Sequence, residues 1–220
     1  MGLKLYHKRK RKNVIKADLA CNKIEVPKSG VYKIEVFGKN NEIIILNGHP
    51  KSNVSLLVHG DNNKVFITTD EEIKLTGIIG LADGLAKNCL FQVGDKTSIN
   101  GLHFVLMDNN SKIMIGDSCV FSFQIEMWVS DTHTILDAEK NIINMGKEII
   151  VGNHVWVGKE AKILKNSIIP GGGVVGMGSV VAKKFTIPNA IIAGVPAQVV
   201  KENISWLKDR PNDYKKEKES

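Results

Sequence analysis

Along the C-terminal half of this chain an aliphatic residue returns every sixth position. The series runs Val151, Val157, Ile163, Ile169, Val175, Val181, Ile187, Ala193, Val199. A 3.6-residue helix and a two-residue strand alternation both fail to give that spacing; a hexapeptide repeat, the signature of a β-helix with short flat faces, does. The second position of each hexad adds a longer period. Gly158, Gly176 and Gly194 are 18 apart; so are Gly152, Pro170 and Pro188, and Leu164, Ala182 and Val200. Three hexads therefore make one triangular coil, and glycine and proline at these positions suit its corners. Coils are expected to stack about 4.8 Å apart as parallel strands with the aliphatic column inside.

The N-terminal half carries the same pattern more loosely. Val93, Ile99 and Val105 keep the sixes, as do Ile115 and Phe121. Asparagines at Asn41, Asn63, Asn88 and Asn110 are spaced 22, 25 and 22, which suggests coils with small extra turns and asparagine at left-handed corners. The expected organisation is a basic segment 1–20, irregular coils 21–112, regular hexapeptide coils 113–200, and a helix with charged tail 201–220. The stretch KENISWLKDR after Val200 has the composition of a short helix capping the open end, with Pro211 terminating it. The fold class is all-β, a parallel β-helix.

The period breaks at WVSDTHTILD, residues 128–137. The frame running through Ile115 and Phe121 resumes at Val151, so 131–148 reads as an excursion loop with a histidine between two aspartates. Composition sets limits on what this loop serves. The chain has 220 residues, 43% hydrophobic, no long apolar run and a net charge of +7. It reads as one substantial soluble domain without a bilayer span or secretory signal. Cys21, Cys89 and Cys119, without CxxC, suggest reduced thiols and a cytoplasmic setting. The KRKRK run at 8–12 and the tail at 213–220 read as solvated termini, or as attraction to an anionic partner.

The stretches VGNHVWVGKEAKIL, GGGVVGMGSVVAKKF and IIAGVPAQVVKEN, with DTHTILD upstream, resemble the hexapeptide-repeat acyltransferases. The resemblance is nearest to bacterial sugar and capsular-polysaccharide O-acetyltransferases and covers roughly residues 113–206. It implies a left-handed β-helix, where general crossover rules would favour a right-handed one. It also implies acetyl-CoA as donor, a carbohydrate acceptor such as a capsule, and a homotrimer with sites between subunits.

Six histidines are present, at positions 7, 49, 59, 103, 133 and 154. By resemblance His133 is the catalytic one, and its chemistry fits. A neutral imidazole can take the proton from a sugar hydroxyl as that oxygen attacks the thioester, then protonate the leaving thiolate. In an extended backbone Asp131 projects to the same side as His133 and is either its orienting carboxylate or a turn former. Trp156 matches the family's tryptophan at the acetyl-CoA site, where an N–H donor holds the thioester or its oxyanion; an interface aromatic is the other reading. Trp128 is a possible sugar-stacking ring, and His154 a corner residue. The cofactor-binding set is Trp156, Gly158, Lys159, Gly176, Met177, Ala182, Lys183 and Lys201. Lys147, Lys165, Lys183 and Lys201 are 18 apart, and three or four of them are expected to stack along one edge, facing the coenzyme's phosphates or simply solvent. Lys159, the Met177 and Ala182 positions and Gln198 depart from the family's usual Ser, GAG, VTKD and Arg, which bears on side-chain contacts more than backbone ones.

The competing readings are a non-catalytic β-helix scaffold, a γ-carbonic-anhydrase-like zinc hydratase and a nucleic-acid binder. The hydratase's paired histidine is missing, because Ala138 stands there. No aromatic-interleaved basic module accompanies KRKRK. The reading adopted needs no metal and no nucleic acid.

Overall fold

The structure is a computed structural model that describes residues 13–82 and 85–214. KRKRK and most of the charged tail lie outside the described residues. The chain winds as a parallel β-helix. Among the described residues there is no helix. A first face is built by β11 (Val120–Phe121), β14 (Trp156–Val157), β17 (Val174–Val175) and β19 (Ile191–Gly194). A second face holds β12 (Ile125–Trp128), β15 (Lys162–Leu164) and β18 (Val180–Val181). A third holds β2 (Lys23–Glu25), β4 (Glu42–Ile45), β6 (Lys64–Ile67), β8 (Leu90–Val93), β10 (Lys112–Ile115), β13 (Glu148–Val151) and β16 (Ser167–Ile169). In the N-terminal coils the long strands β3 (Val31–Phe37), β5 (Asn53–His59) and β7 (Ile73–Ile79) stack on β9 (Ser98–Leu106), which spans the corner between the first two faces. The remaining strands are β1 (Val14–Lys16), below β3, and β20 (Ala197–Lys201).

The strand registers explain the two halves of the pattern. Trp156 pairs Val174 and Ile149 pairs Ser167, each one 18-residue coil apart. Glu42 pairs Lys64 and Lys64 pairs Leu90, after 22 and 26 residues, so the early coils do carry extra turns. Lys112 pairs Glu148, 36 residues on, so the excursion is one coil's worth of chain and leaves the frame intact.

Corner chemistry differs from the sequence expectation. In five successive hexads the left-handed residue is the fourth one: His154, Glu160, Asn166, Gly172 and Gly178 all have positive φ. The second-position glycines serve close approach instead. A Cβ on Gly158 would lie 2.7 Å from the Met177 nitrogen, and one on Gly176 would lie 2.9 Å from the Ala193 Cβ. Gly194 alone of that trio is left-handed. In the N-terminal half Asn40 and Asn62 take the corners. Their neighbours Asn41 and Asn63 are buried in a ladder with Asn22, each accepting from the backbone N–H above it. Asn88 and Asn110 are left-handed, as expected.

The core is the aliphatic column, from Ile34 and Val54 to Val175 and Val181. Stacked Phe91 and Phe104, 3.8 Å apart, fill its middle, and Gly77 is there because a Cβ would meet the Phe104 ring at 2.2 Å. Val105 does not keep the inward frame. The register slips between Ile73 and Leu75, so Leu102, Phe104 and Leu106 point inward and Val105 falls on the other parity, though still buried.

The C-terminal helix is replaced by a different device. After Gly194 the chain reverses, and β20 pairs antiparallel with β19. Residues 202–214 then run back down the first face as a strap. Trp206 stacks on His154 at 4.2 Å, donates from its indole N–H to the His154 carbonyl (3.0 Å), and offers its own carbonyl to the His154 ring (3.1 Å). Lys208 reaches Glu71 at 3.1 Å, several coils below. Burying one indole and satisfying its N–H outweighs the marginal stability of a one- or two-turn helix.

All three cysteines are free thiols. Burial pushes the Cys89 and Cys119 thiols above their ordinary value. A thiol-disulfide dye is therefore expected to titrate one cysteine, the half-buried Cys21, in the native protein and three after denaturation. Rapid native reaction of two or more would contradict this packing.

Candidate functional site

The excursion leaves the prism after β12 and returns at β13. One carboxylate holds both its feet: Asp108 accepts from the Ser130 hydroxyl (2.9 Å) and from the Gly146 N–H (3.0 Å). Between them the chain forms a small hairpin, with Leu136 bridging Ile142 and the Ile143 N–H bonded to the Ile135 carbonyl (3.0 Å). Asn144 laces the hairpin to its base. It accepts from the Ile135 N–H (2.9 Å) and donates to the His133 carbonyl (2.8 Å) and to Asp131 (3.0 Å).

His133 is exposed and lines an open cavity of about 790 Å³ with Trp128, Met107, Asp108, Ser130 and Met145. Asp131 does not face its ring. The local backbone is a tight turn, with the His133 N–H bonded to the Asp131 carbonyl (2.7 Å) and Thr132 at positive φ, and not an extended strand. The Asp131 carboxylate is taken instead by the Lys165 ammonium and the Asn144 amide, so here it braces the loop. Those two donors, Lys165 first, hold its carboxyl below the ordinary aspartate range.

The other candidates divide between two edges of the prism. Trp156, 43% exposed, stands on the first face, tilted 46° against Trp206 at 6.2 Å. It lines a cavity of about 870 Å³ beneath the C-terminal strap, which shares no lining residue with the His133 cavity. At the corner after Trp156, the Gly158–Lys159 and Gly176–Met177 pairs stack one coil apart, with the Gly178 N–H bonded to the Lys159 carbonyl (2.9 Å). Lys159 pairs with Glu160 (2.9 Å), and Met177 is largely exposed. Ala182 and Lys183 are exposed at the opposite edge, following the second face as the loop does.

Three of the four lysines, Lys147, Lys165 and Lys183, stack at one corner by register, but their side chains do not form a free basic row. Lys165 is folded onto Asp131 and the Asn144 carbonyl (2.7 Å). Lys183 bonds Gln198 and sits 5.1 Å above the Phe185 ring, beside a shallow cavity of about 310 Å³. Lys201 lies opposite Ile191 on the returning strand, because the antiparallel β20 breaks the 18-residue stacking. Sequence reasoning missed Asp108, Asn144 and Trp206, whose partners lie 9 to 52 residues away with no local signature.

Comparison with known proteins decides the family. No family model matches the chain. Over 175 residues, 79% of each chain, it is 34% identical to the polysialic acid O-acetyltransferase of Neisseria meningitidis. This chain belongs to the hexapeptide-repeat O-acetyltransferases. It is also 32% identical over 118 residues to the polysialic acid O-acetyltransferase of Escherichia coli O1:K1, covering 53% of this chain and 38% of that one. The crystal structure of the polysialic acid O-acetyltransferase OatWY superposes with a TM-score of 0.75 at 30% identity, covering 93% of this chain and 95% of that one. The prism is thus the left-handed β-helix of that family, and the chain is an O-acetyltransferase. Among the described residues no three His, Cys, Asp or Glu side chains converge to hold a metal, and no helix is long and apolar enough to cross a membrane.

The Asp131–Lys165 pair gives the loop of this acetyltransferase a pH signature. A carboxyl depressed in the folded state contributes stability that is complete above the ordinary aspartate range and lost as pH falls through the depressed value. Hydrogen exchange in residues 131–146, corrected for intrinsic rate, is expected to hold constant from pH 7 to about 4 and to accelerate below. In Lys165→Met the loop should already exchange faster at pH 7. Identical exchange in the two proteins would remove the brace.

Proposed function

We propose that this enzyme transfers the acetyl group of acetyl-CoA directly to a hydroxyl of a sialic-acid-containing surface polysaccharide, with His133 as general base. The observation that carries the reading is His133 itself, held at the root of a pinned hairpin and open to a cavity large enough for a sugar ring. The acceptor class is supported by two relatives named polysialic acid O-acetyltransferases and by the OatWY structure.

In this mechanism the His133 imidazole removes the hydroxyl proton as the sugar oxygen attacks the thioester carbonyl. The C–O bond forms, the tetrahedral oxyanion collapses, and the C–S bond breaks. The imidazolium returns its proton to the leaving thiolate. Trp156 is assigned to the donor side, where its N–H groups stabilise the oxyanion or seat the thioester. The corner backbone at Gly158 and Gly176 is assigned to the pantetheine arm, although the glycines themselves are required by the packing of one coil on the next. The Lys159, Met177 and Ala182 positions flank that arm, and Lys183 and Lys201 attract its phosphates. The orienting role considered for Asp131 requires the turn at Thr132 to open; as built, Asp131 positions the loop.

Within one chain His133 and Trp156 occupy different edges and different cavities. The reading is therefore completed by a homotrimer, in which the His133 edge of one subunit meets the Trp156 edge of the next. The hairpin supports it: Ile135, Leu136, Ile142, Ile143 and Met145 are all about half exposed, an apolar set that calls for a partner surface. Use of acetyl-CoA places the reaction in the cytoplasm.

The test is thiol release from acetyl-CoA with a sialic acid polymer as acceptor. His133→Ala is expected to lower kcat by at least a thousandfold with the melting temperature unchanged, since His133 is exposed. Full turnover in that variant would end the mechanism. Mixing His133→Ala with Trp156→Ala chains before refolding should restore part of the activity, because a mixed trimer contains some intact interfaces.

A further inference from the structure

The second face carries a polar device that the reaction scheme leaves unused. Trp128, on the rung just before the excursion, forms one wall of the His133 cavity. Its indole N–H donates to Glu126 Oε2 (2.9 Å). The same oxygen meets the Nδ1 of His103 at 3.0 Å, one rung below, and the His103 ring stands edge-on to Trp128 at 6.0 Å. Two donors on one carboxylate oxygen fix the plane of the indole. Trp128 is only partly buried, and an exposed aromatic ring is not normally worth such a brace unless its orientation matters.

On the far side of Glu126 lies a second open cavity, of about 410 Å³, reached across β9 and β7. Leu75, Leu102 and Ile125 line it together with a set of hydrogen-bonding groups: Asn53, Ser55, Thr76, His103, Gln124 and Glu126. These positions stack in parallel register, Ser55 on Thr76, Thr76 on His103 and His103 on Glu126. The row therefore runs along the helix axis at about 4.8 Å per rung. The two cavities have no lining residue in common but adjoin through the hydrogen-bonded Trp128–Glu126 pair, and together they outline a trench that leads away from His133 across the second face, in the strand direction.

From this geometry we infer that the trench is the acceptor-chain site: Trp128 stacks on the sugar ring presented to His133, Glu126 and His103 are the residues that position it, and the 410 Å³ cavity holds the neighbouring sugar of the same chain. The inference rests on the proposed acetyl transfer and adds the acceptor's path to it. A sugar ring has an apolar face of C–H groups that a fixed indole matches, and a hydroxyl-rich edge that Asn, Ser, Thr, Gln and His side chains serve. Two adjoining pockets suit a chain of sugars more than a free monosaccharide.

The experiment measures initial rates with sialic acid oligomers of graded length, from two units upward, alongside KM for acetyl-CoA and the slow hydrolysis of acetyl-CoA without acceptor. Trp128→Ala is expected to raise acceptor KM at least tenfold while leaving acetyl-CoA KM and background hydrolysis within twofold; Trp128→Phe should recover most of the loss. Glu126→Leu should give an intermediate rise in acceptor KM, since the ring remains but its brace is gone. Thr76→Trp, a filling substitution at an exposed position, should raise KM for long chains fivefold or more and leave the dimer unaffected. Melting temperatures within a few degrees of the parent verify folding. Wild-type failure to acetylate any sialic acid chain would overturn the proposed function and this site with it. Wild-type turnover together with an unchanged acceptor KM in Trp128→Ala overturns the stacking wall alone, and a Thr76→Trp effect equal at all lengths, or absent, overturns the second cavity.

Discussion

What the rest of this structure depends on is the left-handed corner. Fifteen non-glycine residues among those described hold a positive φ, eight of them asparagine. Each such residue costs about 1–2 kcal/mol in the open chain. The cost is offset only if every rung hydrogen-bonds to the next and sends its aliphatic residue inward, which is what the parallel registers and the buried column achieve. A coil that failed to turn would forfeit both at once. The prism is accordingly rigid, and rigidity is what lets a site be distributed along its edges.

The excursion exploits that rigidity. Lys112 and Glu148 are bonded neighbours although 36 residues separate them, so the prism closes beneath the loop as though nothing had been inserted. The loop inherits fixed ends, and Asp108 ties both of them to the rung below. Beyond that anchor, the hairpin is ordered by Asn144, by the Lys165–Asp131 pair, by the Asp137 carboxylate accepting from Asn141, and by four backbone bonds between residues 131 and 143. His133, the proposed base, is thereby set in place at the root of the loop, while the apolar tip stays exposed.

Much of this was legible in the sequence, because the inward residue of each hexad faces only other inward residues and so obeys a strict chemical rule. The break at residues 131–148 was legible for the same reason. Corners were not. Glycine at the second position suggested a dihedral requirement, yet Gly158 and Gly176 are there for proximity, and the strained position is filled by residues as different as His154 and Glu160. The helix expected after Val200 lost to Trp206, whose partner His154 lies 52 residues upstream. The 18-residue lysine spacing held for Lys147, Lys165 and Lys183 but not for Lys201, since the return of β20, like the capture of Lys165 by Asp131, depends on contacts that spacing cannot express. Val105 shows the same limit at one residue: a single slip in register moved it to the other parity.

The division of candidate residues between two edges has a mechanistic meaning beyond bookkeeping. A direct transfer requires base, hydroxyl and thioester to meet within hydrogen-bonding reach. In one chain, His133 and Trp156 line cavities with no residue in common, on faces whose separation is fixed by the prism. Loop motion large enough to join them would have to undo the Asp108 anchor and lose two hydrogen bonds to a carboxylate, at about 1.5–3 kcal/mol each. Bringing a second prism alongside requires no such loss and covers the apolar hairpin at the same time. On the proposed mechanism, assembly is therefore the lower-energy route to a complete site, and the acceptor path inferred on the second face would run from one subunit's His133 edge across that face.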